Sequence, residues 1–97
     1  MIAGHYIGGA PIYEGAVEQS VDPADQTEVG KYHLGSRSLV DHAADVARRA
    51  FFELNWSANP RLRGQALSEI ADRLEAAKDA IADLVVQENG KLRSEAI

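Results

Sequence analysis

Apolar residues recur every three or four positions from Leu62 to Val85, and no other feature of this 97-residue chain restricts its fold so strongly. The set is Leu62, Ala66, Leu67, Ile70, Leu74, Ala77, Ile81, Leu84 and Val85. That spacing draws one stripe along one side of a helix. Both ends carry signals. Asn59 can accept from the first free amides, and Pro60 follows where a fixed φ and a missing N–H do no harm. Gly90 can supply the left-handed residue beyond the last turn, with Lys91 beside the last carbonyls. The sequence therefore predicts one helix over 59–91, about 45 Å long at ~1.5 Å per residue. Helices in proteins owe most of their stability to a packed apolar face, so this stripe needs partners.

The preceding residues supply some candidates. Residues 38–54 predict a second helix, with Ser38 and Asp41 as a capping pair and Leu39, Ala43, Val46, Ala47, Ala50 and Leu54 on its buried side. Phe51 lies on its flank. The short connection Asn55-Trp56-Ser57-Ala58 implies an antiparallel two-helix hairpin, with Trp56 as a packing anchor. Residues 1–35 lack helical periodicity and hold the turn signals. Gly8-Gly9 separates His5-Tyr6-Ile7 from Ala10-Pro11-Ile12, as in a two-residue hairpin, with Pro11 confined to an edge. Val17, Gln19 and Val21 alternate with polar residues, Asp22-Pro23-Ala24-Asp25-Gln26 reads as a turn, and residues 29–34 return as a strand. The expectation for 1–35 is a small antiparallel β ribbon.

Bulk properties narrow the function. Ninety-seven residues allow one domain at most. A formal net charge of −5 argues against nucleic acid and against an anionic membrane surface. Without cysteine there is no disulfide framework, thiolate metal site or cysteine nucleophile within these residues. The opening Met-Ile-Ala-Gly-His is no signal peptide, and no apolar run reaches membrane-spanning length, so the expected setting is cytoplasmic. Beyond Gly90, Leu92, Ala96 and Ile97 begin another apolar pattern that stops without a cap, which leads to the expectation that the sequence is truncated.

Chemistry is sparse. The Gly4 to Gly9 stretch lacks phosphate-loop spacing and precedes a strand, not a helix. His5, His33 and His42 share no metal-ligand spacing, and no serine lies in a nucleophile elbow. Asp72, Glu75, Asp79 and Asp83 recur beside Arg73 and Lys78 as a solvated helix face does.

Laid out in order, these pieces resemble the N-terminal end of the NAD(P)-dependent aldehyde dehydrogenase superfamily. Tyr6-Ile7-Gly8-Gly9 resembles the family's opening hairpin. Val21-Asp22-Pro23-Ala24 with Val29-Gly30 is similar to its "NPATGEVIG" turn. Asp41 through Ala50-Phe51 and then Trp56 resembles its first helix. Pro60 to Arg63 with Leu67, Ile70-Ala71-Asp72 and Leu74-Glu75 resembles its second, and Glu88-Asn89-Gly90-Lys91 answers "ETGK". Asp22 stands where Asn is usual and Gln26 where Gly is usual, which alters turn chemistry; Leu92 follows Lys91 where Pro is common. The resemblance covers nearly all of this chain but only the opening fifth of such an enzyme.

The resemblance implies an α/β parent fold with a Rossmann-like cofactor domain, of which residues 1–97 would be an incomplete N-terminal part. It also implies oxidation of an aldehyde to a carboxylic acid, with NAD or NADP held by residues outside this chain. No catalytic or cofactor-binding residue is then expected here; the segment would be scaffold, inactive alone. Implied partners are the remainder of the dehydrogenase chain, an aldehyde and further copies in a dimer or tetramer. Some members hold a monovalent cation at positions corresponding to Ser20 and Val21, through backbone carbonyls, and Glu88, through its carboxylate. Oxygen ligands suit a hard cation, although Glu88 near a helix end in solvent needs no ligand. The rival reading is a stand-alone, non-enzymatic helical-hairpin interaction module. The aldehyde, the choice of NAD or NADP, and the number of subunits are not set by these residues.

Overall fold

A computed structural model describes residues 2–97. Strand β1 is Ile2–Ala3. Strands β2 (His5–Ile7) and β3 (Ala10–Ile12) pair antiparallel with Ile7 opposite Ala10, so Gly8 and Gly9 alone make the turn. Both have positive φ, +63° and +82°, as a two-residue hairpin matched to right-handed strand twist requires. Pro11 sits in this two-stranded sheet, which has only edges.

The single antiparallel ribbon expected over 1–35 is corrected to two sheets. The second has the order β1–β5–β4, where β4 is Val17–Val21 and β5 is Glu28–His33. β4 and β5 form the expected antiparallel pair, but β1 runs parallel to β5, with Ile2 opposite Lys31. Parallel pairing joins strands distant in sequence and needs no turn between them, so no turn signal announces it. The β4–β5 ladder slips once. Ser20 faces Gly30 and Val21 faces Glu28, which leaves Val29 unopposed as a bulge.

Helix α1 runs Arg37–Glu53, against the 38–54 expected. Its cap is Ser36, not Ser38: the Ser36 hydroxyl accepts from the Leu39 amide at 3.2 Å. Two serines stand close together, and the one whose backbone is extended takes the capping role. Leu39 is buried, and Ala43, Val46 and Ala50 are half-buried on the same face. The β2–β3 turn rests against this face, because a Cβ on Gly8 would lie 3.3 Å from Val46.

The antiparallel helix hairpin is also corrected. Helix α2 (Pro60–Ala76) makes at most marginal contact with α1 among the described residues. The connection spends its hydrogen bonds locally instead. Arg63 Nη1 donates to the carbonyls of Trp56 at 2.9 Å and Ser57 at 2.7 Å, and the Ser57 hydroxyl donates to the Phe51 carbonyl at 3.4 Å. A short loop permits two helices to face one another but does not bring their apolar sides together. Trp56 remains exposed, so it is not the anchor expected.

The one helix expected over 59–91 is two. It starts as expected, with the Asn59 side chain accepting from the Leu62 amide at 3.0 Å and Pro60 in the first turn. It ends as expected at Gly90, whose φ is +67°. Between them Ala77 (φ −99°, ψ 3°) leaves helical geometry, and its amide is shared between the carbonyls of Arg73 and Leu74. Helix α3 then runs Lys78–Asn89. The stripe crosses the break without interruption, and alanine favours helix, so neither periodicity nor propensity marks it. Tertiary contact differs on its two sides: α3 lies against β4, whereas no residue of α2 is buried. The inward face of α3 centres on Ala82, with Val85 and Val86 half-buried, while Ile81 and Leu84 of the expected stripe stay exposed.

Helix α4 (Arg93–Ala96) folds back on α3, where Arg93 pairs with Asp79 at 3.3 Å and with Asp83. Leu39 and Ala82 are the only buried apolar residues among those described. The radius of gyration is 17.0 Å, against about 13 Å for a compact domain of this length. Nine elements are thus formed among the described residues around very little buried apolar surface.

Candidate functional site

The Asp22–Gln26 turn is built by its own side chains. Asp22 Oδ1 accepts from the Ala24 amide at 2.8 Å, and the Asp22 carbonyl accepts from the Gln26 amide at 2.8 Å. This turn meets the end of α3, since a Cβ on Gly90 would lie 3.3 Å from the Pro23 ring. The bulge beside Ser20 and Val21 bends the strand pair at the same level.

Two of the three residues singled out from the resemblance touch there. The Ser20 hydroxyl donates to Glu88 Oε1 at 3.1 Å, across 68 positions of sequence. Val21, the third, is half-buried next to Ser20 in β4. A shallow hollow of about 220 Å³ lies between sheet and helix, lined by Ala3, Ser20, Gly30, Tyr32, Leu84 and Glu88 together with Val29 and Lys31.

Glu88 occupies the last turn of α3, where the helix dipole presents its negative end. That turn contains no basic residue, and Glu88 has no ion pair among the described residues. Carboxylate and dipole therefore add their negative potential beside neutral backbone and hydroxyl oxygens. Chemically such a corner could hold one hard cation of low charge. A divalent ion with six to eight oxygen ligands would want more than one carboxylate.

The other candidates stay apart. His33 Nδ1 bonds the Gly15 carbonyl at 3.0 Å, His5 lies in β2 and His42 on α1. Among the described residues no three His, Asp or Glu side chains could hold a metal ion together. Gly8 and Gly9 form a strand turn, away from any helix start. Asp72 and Glu75 are exposed, while Asp79 and Asp83 hold Arg93. The resemblance points only to the Ser20 carbonyl; the hydroxyl bond to Glu88 is not legible in the sequence, because no local pattern reports a contact between residues so far apart.

The model described as "Aldehyde dehydrogenase family" matches residues 13–97. An aldehyde dehydrogenase of Aspergillus niger is 31% identical over 91 residues, 93% of this chain and 18% of the relative. The NADP/NAD-dependent aldehyde dehydrogenase PuuC of Escherichia coli is 32% identical over 91 residues, again 93% and 18%. An N-succinylglutamate 5-semialdehyde dehydrogenase of Sphingopyxis alaskensis is 38% identical over 73 residues, 74% of this chain and 14% of its own length. The chain thus spans less than a fifth of each of these curated relatives. With 85 consecutive residues matched by the family model (13 to 97), the chain belongs to the aldehyde dehydrogenase family.

Proposed function

We propose that residues 1–97 are the N-terminal scaffold of an NAD(P)-dependent enzyme that oxidises an aldehyde to a carboxylic acid. The observation that carries this is the family match over residues 13–97. These residues contain no cysteine, so a thiol nucleophile has to come from the rest of the dehydrogenase chain. We place the dinucleotide site there as well, since the Gly-Gly pair here turns a β-hairpin and does not open a helix. The chain's own contribution is positional. Helix α1 carries the β2–β3 hairpin, and α2 offers an apolar stripe that the remainder of the chain would cover. We assign the whole enzyme to the cytoplasm and to a homo-oligomer, a dimer or tetramer; among the described residues no helix is long and apolar enough to cross a membrane.

At the corner of β4 and α3 we assign a monovalent cation to the carbonyls of Ser20 and Val21 and the carboxylate of Glu88. The Ser20–Glu88 contact and the absence of a basic partner for Glu88 among the described residues support it. A bound ion would neutralise the end of α3 and tie the helix to the sheet. The interaction-module reading has no comparable support.

The test is aldehyde-dependent reduction of NAD or NADP. The purified 97-residue chain should give none, whereas the full-length protein should give turnover that thiol alkylation abolishes. Without a thiol, no covalent hemithioacetal can form to donate the hydride. Activity from the short chain, or alkylation-resistant activity from the long one, would overturn the assignment.

A further inference from the structure

We propose that the Ser20 side chain, and not only its backbone, serves the cation corner: its hydroxyl clamps the Glu88 carboxylate in the orientation that receives the ion. This rests on the cation reading given above. The two functions of Ser20 are chemically separable. A carbonyl ligand belongs to the backbone and survives any side-chain change, whereas the hydroxyl proton donated to Glu88 Oε1 at 3.1 Å is lost in alanine.

Glu88 needs a clamp. It is exposed at the end of a helix, with three side-chain torsions to fix, and Ser20 is its one polar side-chain partner among the described residues. A serine hydroxyl has a single proton and gives it to Oε1, so Ser20 does not occupy the lone pairs of Oε2. Charge-assisted bonds of this kind are stronger than neutral ones. Ser20 is itself half-buried and held in β4 opposite Gly30, one step before the bulge. The rigid partner is thus in the sheet and the adaptable one on the helix. The clamp gives the carboxylate a fixed direction before any ion arrives, which lowers the entropy lost on binding.

The experiment uses the full-length protein and potassium ion as the probe. Thermal midpoints are followed as potassium chloride replaces choline chloride at constant ionic strength. The wild type should be stabilised by potassium. Ser20→Ala should need about tenfold more potassium for half the effect, as loss of an outer hydrogen bond to a metal ligand does. Ser20→Thr, which keeps the hydroxyl, should stay close to wild type, and Glu88→Gln should respond least. Ser20→Val matches threonine in shape but lacks the hydroxyl, so it should weaken potassium as Ser20→Ala does, and the Thr–Val pair isolates the lost bond from any packing effect even if Ser20→Ala folds poorly. A Ser20→Ala half-effect equal to wild type would show that only the carbonyl acts, and would overturn the clamp alone. An equal drop in midpoint in both salts, with an unchanged half-effect, would reduce the bond to a structural tie and likewise overturn it. No difference between the salts in the wild type would remove the cation reading and the clamp with it.

Discussion

Gln26 stands in the left-handed region, φ +65°, alone among the described non-glycine residues. A side chain there costs roughly 1–2 kcal/mol, offset for glycine by about 0.5–1 kcal/mol of extra chain entropy. The expected net effect of Gln26→Gly is a gain of up to about 1.5 kcal/mol in denaturant unfolding, taking the difference of those two terms; a loss would mean that the turn does not need that backbone. One residue earlier, Asp25 Oδ1 accepts from the Thr27 hydroxyl at 2.6 Å and from the Thr27 amide at 3.0 Å. These bonds, the hydroxyl's first, hold the Asp25 carboxyl below its ordinary value of 3.8. Because the folded value is the lower one, the turn's contribution to stability is present above 3.8 and disappears as pH falls through the folded value. Carbon-detected NMR titration should find Asp25 moved up towards 3.8 in Thr27→Val; unchanged titration would refute the hydroxyl's role.

The elements divide by the range of the forces that make them. Asn59 with Pro60, Gly90, and Gly8-Gly9 were legible because cap and turn chemistry acts within four residues, and the structure uses each as read. The parallel β1–β5 pair, the break at Ala77 and the Ser20–Glu88 bond were not. Periodicity says that Leu74 and Ile81 share a face; it does not say what that face meets or whether the axis stays straight. The same limit made the α1–α2 hairpin an over-reading, since loop length speaks of what can pack and not of what does. Leu74 gives a direct measure. At 55% exposure in this chain, Leu74→Ala should cost no more than about 1 kcal/mol in the 97-residue chain, since little of it leaves water. In the full-length protein, where the proposed remainder of the chain would cover the stripe, the same change should cost about 2–5 kcal/mol. Equal losses in the two contexts would show that the remainder of the chain leaves α2 bare.

At the scale of the molecule the strands and helices outnumber the buried side chains that would hold them together. Leu67, Ile70 and Leu74 on α2 and Phe51, Phe52 and Leu54 at the end of α1 are all more than half exposed. Exposed apolar surface beyond a few hundred Å² favours association. The 97-residue chain alone should therefore show concentration-dependent sedimentation and a broad thermal transition; a monodisperse monomer with a sharp melt would contradict the scaffold reading.

The sheet order β1–β5–β4 also sets a timetable. β4 and β5 can zip together across their own short turn, whereas Ile2 must wait for Lys31. On a ribosome the first strand made is thus the last of the three to find its place. Until β5 emerges, Ile2 and Ala3 lack the partner strand they have in this sheet, and loop closure favours the local pair. Removing residues 2–4 would then leave the β4–β5 pair able to form and expose the β5 edge that β1 had sealed.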